Sequence, residues 1–190
     1  MSGVGRDSGR VTGADAGVSG GLSRGFPPVV GKRPQVLVLG SLPGQASLRR
    51  SEYYGQAQNA FWRIMGELCG AGPERHYADR LALLRSSGIA LWDVLEAAER
   101  PGSLDSAIVM DTARINDIAS LLDRERSIRG VCFNGRKAAD LYRRRVLSLL
   151  PPRAAVLPAM TLPSTSPAYA SMRFEAKLAQ WRAALAPYIR

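Results

Sequence analysis

The chain has 190 residues, of which 46% are hydrophobic and 22% are charged, as in a soluble globular domain of ordinary size. No apolar run reaches the roughly 18 residues of a membrane helix and no signal-peptide pattern is present, so we expect a cytoplasmic protein. Two cysteines and one histidine argue against an iron–sulfur cluster or a zinc site of the usual spacing.

The net charge of +10 is carried mainly by arginine, since only three of the 26 basic residues are lysine. One interpretation is an arginine-rich chain whose charges are spread over solvated faces. The other is a surface that binds phosphate groups, because backbone electrostatics supply most non-specific affinity for nucleic acids. Composition favours nucleic acid only slightly.

The chain divides into two regions by composition. Residues 1–24 are rich in Gly, Ser, Asp and Arg and contain almost no large apolar residue, which predicts a disordered tail. Residues 25–190 are predicted to form one domain, which begins with an extended arm at residues 25–30.

Short apolar runs alternate with helical patterns along the rest of the chain. Strands are predicted at residues 36–39, 88–94, 130–135 and, more weakly, 154–157. Helices are predicted at residues 61–69, 74–86, 112–122, 136–149 and 174–185, the third of them capped by Asp111 or Thr112. This alternation predicts an α/β fold with a parallel sheet covered on both faces.

The first predicted strand runs into a loop bracketed by Gly40 and Gly44. A crevice at the carboxyl end of such a strand commonly holds a ligand. The loop is not a Walker A motif, because Gln45 and Ala46 follow Gly44 where Lys and Ser or Thr are needed, and it is not a GxGxxG motif. It suits a rigid turn that presents backbone N–H groups to a flat or anionic ligand, although a purely structural turn is about equally consistent.

Two further stretches have functional and structural interpretations of similar weight. Tyr53 and Tyr54 could stack on a base or lie in the core. The hydroxyls of residues 164–166, held between prolines, could contact phosphate oxygens or belong to an ordinary turn. His76 has no obvious catalytic-triad setting.

These loops together resemble the uracil-DNA glycosylase superfamily, and most closely its hypoxanthine-DNA (deoxyinosine) glycosylase branch. The matching segments are Gly40-Ser41-Leu42-Pro43-Gly44, Ser47-Leu48, Tyr53-Tyr54-Gly55, Asn59-Ala60-Phe61-Trp62 and Leu162-Pro163-Ser164-Thr165-Ser166-Pro167-Ala168. Residues 88–94, 102–105 and 133–135 also look like that branch, and the likeness extends from about residue 25 to the C-terminus.

The resemblance implies a three-layer α/β/α fold with a central, four-stranded, mostly parallel sheet. It implies a monomer that flips a deaminated base (hypoxanthine, or else uracil or xanthine) out of DNA and excises it without a cofactor. The implied base-binding residues are Gly40, Ser41, Leu42, Pro43, Gly44, Tyr54 and Asp93, with Tyr54 stacking on the base and Asp93 reading its edge. The implied DNA-backbone residues are Ser47, Ser164, Thr165, Ser166 and Pro167.

The resemblance assigns the catalytic role to Asn59. Many superfamily members position the attacking water with an acidic or amide side chain in the first loop, where this chain has Leu42. A carboxamide can orient water through its carbonyl oxygen but is a poor base, so we expect a modest rate. Asn59 could equally cap the helix that follows, and the two roles are compatible.

The sequence departs from the family pattern at two places. Residues 56–58 replace a common His-Pro pair, and Tyr169 stands where a smaller polar residue is expected. Neither active-site motif contains a lysine, which argues against lyase chemistry. Two alternative functions stay open: a non-catalytic binder of damaged or abasic DNA, and a hydrolase of free nucleotides or nucleosides.

Overall fold

The computed structural model describes residues 21–189. Its strands are β1 (Leu22–Arg24), β2 (Val36–Gly40), β3 (Ile89–Asp93), β4 (Leu95–Glu99), β5 (Arg114–Ile115), β6 (Gly130–Asn134) and β7 (Ala159–Leu162). Its α-helices are α1 (Gln45–Arg50), α2 (Phe61–Cys69), α3 (Tyr77–Ser86), α4 (Ile118–Arg124), α5 (Arg136–Leu141), α6 (Pro152–Ala155) and α7 (Phe174–Leu185). Among these residues no helix is long and apolar enough to cross a membrane.

The central sheet has four strands in the order β3-β2-β6-β7, and every neighbouring pair is parallel. The last residues of the paired strands are in register, with Gly40 beside Asp93 and Asn134 beside Leu162. All four strands therefore end at one edge of the sheet, and the loops that follow them meet there.

Helices cover both faces of this sheet because its inner strands are apolar on both sides. All five residues of β2 are buried. Val36 and Val38 pack in one core with residues of α2, α3 and α7, whereas Leu37 and Leu39 pack in the other with residues of α4, α5 and α6. Successive side chains of a strand point to opposite faces, so a continuous apolar run fills two layers at once. The three-layer α/β/α prediction is confirmed.

The prediction of a strand at residues 154–157 is wrong. Helix α6 covers the first two residues of this segment and a turn covers the other two, and Pro152 at the first position of α6 suits a helix start. The fourth strand is β7, and it lies at the edge of the sheet, where only Leu162 is fully buried. Because three of its four residues are exposed or only partly buried, β7 lacks the continuous apolar run by which the other strands were predicted.

Two predicted helices differ in detail from the structure. Residues 110–112 form a 3₁₀ turn, β5 follows, and α4 begins only after Asp117, whose carboxylate accepts a hydrogen bond from the Ser120 N–H at 3.0 Å. The helix predicted at 136–149 is α-helical as α5, continues as a π turn over Tyr142–Val146 and ends as a 3₁₀ turn.

A second, antiparallel sheet has the order β1-β4-β5. Residues 1–20 of the predicted tail lie outside the described residues. Residues Leu22–Arg24, which the prediction also placed in the tail, form β1 and pair with β4. The arm predicted at residues 25–30 packs on the central sheet, since Val29 exchanges two backbone hydrogen bonds with Leu91. Strand β4 continues from β3 and leads into residues 100–105 beside the first loop.

Candidate functional site

A cavity of about 570 Å³ opens where the strands of the central sheet end. This cavity is lined by every residue that the resemblance assigned to the site, namely Gly40, Ser41, Leu42, Pro43, Gly44, Ser47, Tyr54, Asn59, Asp93, Ser164, Thr165, Ser166 and Pro167. The fold therefore brings the loop after β2 (residues 40–44, the first loop) and the loop after β7 (residues 163–169, the last loop) to the same cavity.

Two buried polar atoms beside Gly40 have no hydrogen-bond partner among residues 21–189. They are the Oδ2 atom of Asp93, which is 4% exposed, and the hydroxyl of Tyr54. Leaving such groups unpaired costs free energy, so proteins rarely keep them without a ligand or a functional use. A bound molecule with complementary polar atoms would satisfy both.

The Asp93 carboxyl sits in an environment that disfavours its charge. Burial raises its pKa to about 7, the nearby Asp105 carboxylate adds to the rise, and the Arg100 guanidinium opposes it. Near neutral pH this carboxyl can accept a hydrogen bond when ionised and also donate one when protonated.

We expect the stability of the protein to fall as pH rises toward 7. The pKa of Asp93 is raised from 3.8 to about 7 on folding, so between these values the folded state holds a proton that the unfolded state has lost. The free energy of unfolding should fall across this window by at most about 1.4 kcal/mol per pH unit. Asp93→Asn should remove this part of the slope, as urea unfolding of both proteins at a series of pH values would show. Equal slopes in the two proteins would contradict the assignment.

The two adjacent tyrosines have different roles. Tyr53 is 3% exposed, and its backbone carbonyl accepts from the Trp62 indole N–H at 2.8 Å, so it belongs to the core. Tyr54 has a left-handed backbone (φ 53°), which costs free energy in a non-glycine residue and is typical of functional sites. Its ring stacks on Phe61, with centroids 4.0 Å apart and planes 25° apart. Because Phe61 covers one face of the ring, the other face is the one available to a ligand.

Asn59 lies two residues before the start of helix α2 and also lines the cavity. Its Oδ1 atom accepts a hydrogen bond from the Phe61 N–H at 3.0 Å, and because Ala60 between them already has helical backbone angles (φ −73°, ψ −8°), this contact caps the first turn. A carbonyl oxygen has two lone pairs, and the second remains for a water molecule in the cavity. The capping contact also fixes the direction of the side chain.

Arg100 and Asp105 hold the first loop in place, and no periodic pattern in the sequence indicated either role. The Arg100 side chain is 1% exposed and donates to the backbone carbonyls of Leu42, at 3.1 Å, and Pro43. The Oδ1 atom of Asp105 lies 3.6 Å from Nη1 of Arg100 and accepts a hydrogen bond from the Ser41 hydroxyl at 2.6 Å. Burial lowers the pKa of Arg100.

The fastened loop leaves backbone donors free. The N–H groups of Ser41, Leu42 and Gly44 donate to no acceptor within residues 21–189. Successive free N–H groups in a tight turn form a site for a carbonyl oxygen or an anion.

Asn134 fastens the last loop from the end of β6. Its amide nitrogen donates to the Thr165 hydroxyl at 2.8 Å, and its Oδ1 accepts from the Thr165 N–H at 2.9 Å. The Thr165 carbonyl in turn accepts from the N–H of Ala60, beside Asn59, at 2.9 Å. The two halves of the cavity are thus tied together through one residue. The sequence placed Asn134 at the polar end of a strand, in a segment similar to the glycosylase branch, but indicated no role for it.

The hydroxyls assigned to the DNA backbone differ in accessibility. Thr165 is 1% exposed, and Ser47 is buried with its Oγ accepting from the Gly55 N–H at 2.9 Å, so both hydroxyls hold the protein together. Ser164 and Ser166 are half-buried and accept only from nearby backbone N–H groups, at 3.2 and 3.3 Å. Their hydroxyl protons remain available to an anionic ligand. Exposed Arg49, which the sequence did not single out, adds a positive charge to the cavity lining.

Known proteins are similar to this chain in sequence and in fold. A family model described as the uracil DNA glycosylase superfamily matches residues 27–189. Two curated relatives are named hypoxanthine DNA glycosylase. The one from Methanosarcina acetivorans is 41% identical over 120 residues, which cover 63% of this chain and 75% of the relative. The one from Methanosarcina barkeri is 39% identical over 118 residues, which cover 62% of this chain and 73% of the relative. The solution NMR structure of a candidate uracil DNA glycosylase from M. acetivorans superposes with a TM-score of 0.70 at 35% identity, covering 85% of this chain and 95% of that one. The chain therefore belongs to the uracil DNA glycosylase superfamily.

Proposed function

We propose that this protein is a monofunctional DNA glycosylase that binds a flipped, deaminated base in the cavity and hydrolyses its glycosidic bond, leaving an abasic site. The observation that carries the proposal is the pair of buried, unpartnered atoms, Asp93 Oδ2 and the Tyr54 hydroxyl, beside a loop of free N–H donors. The names of the two Methanosarcina relatives support hypoxanthine as the base.

The polar groups of the cavity complement the edge of a deaminated base. Hypoxanthine carries a ring N–H donor next to a carbonyl acceptor, and uracil and xanthine share this lactam group. Asp93 can accept from the ring N–H, and the free N–H groups of Ser41 and Leu42 can donate to the carbonyl. Adenine has an amino donor in place of the carbonyl, and this donor would face the N–H donors of Ser41 and Leu42 whatever the protonation state of Asp93. The expected specificity is therefore for lactam bases.

Stacking and charge complete the proposed binding mode. The free face of Tyr54 would stack on the base while Phe61 supports the ring from behind. The hydroxyls of Ser164 and Ser166, next to Pro167, would donate to phosphate oxygens flanking the flipped nucleotide. Arg49 and the net charge of +10 would favour the approach of the DNA.

The proposed chemistry is hydrolysis by a water molecule that Asn59 orients. The bond between the sugar C1′ and the base nitrogen breaks with its electron pair moving to the base, whose developing charge the loop N–H groups stabilise. Water adds its oxygen to the oxocarbenium-like C1′, and the proton it loses balances the one the departing base takes up. Within residues 21–189 no lysine lines the cavity, so a covalent Schiff-base intermediate is not expected.

A substrate panel tests this function. Oligonucleotides that carry one inosine, uracil, xanthine or adenine are incubated with the protein and then treated with alkali, which breaks the strand at an abasic site. We expect breaks at inosine and none at adenine. Tight retention of inosine DNA without any break would instead support a non-catalytic binder, and release of base only from free deoxyinosine would support a nucleoside hydrolase.

A further inference from the structure

A second cavity, of about 240 Å³, lies apart from the one assigned to the base. It is lined by residues 115–119, which join β5 to α4, and by Val146 and Leu149, from the turns that follow α5. No residue lines both cavities. The proposed excision of a base therefore makes no use of this smaller cavity.

The smaller cavity has a fixed shape and mostly apolar walls. Val146 is 1% exposed and Ile118 is fully buried, so the hydrophobic core holds both from behind. The Asn116 side chain donates through its amide nitrogen to the Asp93 carbonyl at 2.9 Å, and its backbone N–H donates to the Val94 carbonyl at 2.9 Å. These contacts fasten the cavity to the end of the central sheet, so it is preformed.

Large apolar side chains are exposed at this cavity. Leu149, in its lining, is 58% exposed, and Leu147, two residues earlier in the same 3₁₀ turn, is 41% exposed. Soluble proteins seldom leave neighbouring large apolar side chains in water, and where they do, the patch commonly contacts a partner.

A positively charged π turn precedes this wall of the cavity. Residues Tyr142–Val146 form it, and π turns are rare but frequent at functional sites. Arg144 and Arg145 in this turn are exposed, as is Arg114 beside the lining residues, and none of the three has an ion pair within residues 21–189. Among the described residues, Asp117 is the one acidic side chain of the lining, and it already caps α4. The surroundings of the cavity therefore carry an excess of positive charge.

We infer that the smaller cavity, Leu147 and the π turn together form a docking surface for an acidic segment of another protein, which inserts one aromatic or large aliphatic side chain into the cavity. A single apolar anchor in a preformed pocket commonly supplies much of the binding energy of such a contact. Carboxylates on either side of the anchor would pair with Arg144, Arg145 and Arg114. This inference does not depend on the proposed function.

Two other occupants fit the docking surface less well. A second copy of this chain would bring together two molecules that each carry a net charge of +10, and these repel each other. Nucleic acid would neutralise the arginines, but its phosphates would leave Leu147 and Leu149 and the apolar cavity without a partner. An acidic segment with an apolar anchor complements both features.

Selection from a library of short random peptides displayed on phage tests the docking surface with the full-length wild-type protein. We expect enrichment of peptides that carry several Asp or Glu residues around one Phe, Trp, Leu or Met. The variant Ala119→Trp, whose indole ring would occupy the cavity, should not retain these peptides. If no acidic sequence is enriched, or if Ala119→Trp retains the same peptides equally well, the inference is wrong.

The affinity of an enriched peptide, measured by fluorescence anisotropy, separates the contributions of charge and anchor. Leu149→Ala, and the double variant Arg144→Glu with Arg145→Glu, should each weaken binding at least about tenfold. Binding to the wild type should also weaken as the salt concentration rises, because salt screens exposed charges.

The chain offers a matched control for each of these changes. Lys32→Glu with Arg33→Glu reverses two adjacent exposed charges that line neither cavity, and Leu22→Ala shortens an apolar side chain that is 38% exposed elsewhere. Both controls should bind the peptide as the wild type does, and thermal unfolding should show that all variants are folded. Equal losses in the controls and in the docking variants would contradict a specific surface.

Two further measurements distinguish the other occupants. If the Arg144 and Arg145 double variant weakens binding to an undamaged DNA duplex much more than the Lys32 and Arg33 control does, and no peptide is enriched, the surface binds nucleic acid. If sedimentation shows a wild-type dimer that Ala119→Trp dissociates, the surface binds a second copy. Either result overturns the inference. Ala119→Trp and Leu149→Ala should release base at the wild-type rate, and a protein that releases no base can still bind the peptide, so the proposed function and the docking surface fail independently.

Discussion

Replacing Asn59 with alanine is expected to slow the release of hypoxanthine by about 100-fold, the usual contribution of a group that acts on the attacking nucleophile. The structure places the side chain in the cavity and fixes its direction through the hydrogen bond from the Phe61 N–H. The measurement is the single-turnover rate with enzyme in excess over an inosine duplex, which separates chemistry from product release.

Three variants separate catalysis from helix capping. Asn59→Ala also loses the cap and should cost about 1 kcal/mol of stability. Asn59→Ser keeps a capping oxygen on a shorter side chain, so it should be stable but slow, whereas Asn59→Asp keeps both the cap and an oxygen that can hold water. A fully active Asn59→Ser variant would show that the residue is only a cap. Exposed Gln58, changed to alanine, serves as the neighbouring control.

Replacing Gly40 with alanine is expected to damage both the pocket and the fold. A Cβ at this position would overlap the Asp93 carboxylate and lie 3.1 Å from the Tyr54 hydroxyl, the two groups that we assign to the base. Overpacking of a buried site typically costs about 1 to 3 kcal/mol, and displacement of both groups should lower the excision rate by at least about tenfold. The rate on an inosine duplex and the urea midpoint are the two measurements.

Two further variants test whether Gly40→Ala acts by displacing Asp93. Gly44→Ala adds a methyl group to the same loop at 3.6 Å from Ser103, an ordinary contact, so its urea midpoint should match the wild type. In an Asp93→Ala background, Gly40→Ala should cost less stability than in the wild type, because the main overlap is gone. An equal cost in both backgrounds would show that Asp93 is not the group displaced.

Three of the four strands of the central sheet could be predicted because burial on both faces leaves an uninterrupted apolar run. Strands β2, β3 and β6 each show it, and their predicted positions match the structure to within one residue at either end. Strand β3 lies at one edge of the sheet, but Val29 of the arm pairs with its Leu91, and four of its five residues are buried. Strand β7, at the other edge, and the short strands of the antiparallel sheet have no such run, because backbone pairing holds them more than side-chain burial does. The pattern therefore identified the strands that are buried on both faces and not the more exposed ones.

The two loops of the site could be predicted from motifs, but the residues that hold these loops in place, Arg100 and Asn134, could not. Arg100 reaches carbonyls 57 and 58 residues earlier in the chain, and Asn134 reaches Thr165 31 residues later. Such contacts leave no periodic pattern in the sequence, because they form between distant residues that only the completed sheet brings together. The resemblance implied Ser47 and Thr165 as DNA-backbone residues, and the structure shows that the hydroxyls of both also fasten the chain to itself.

The proposed glycosylase activity is tested most directly by chromatographic detection of free base from an inosine duplex incubated with the wild-type protein in excess. We expect hypoxanthine to appear in an amount equal to the inosine supplied, and the strand to stay intact until alkali is added. The Asn59→Ala variant should release hypoxanthine far more slowly. If the protein binds the duplex but releases no hypoxanthine, and no uracil or xanthine from the corresponding substrates, it is not a DNA glycosylase.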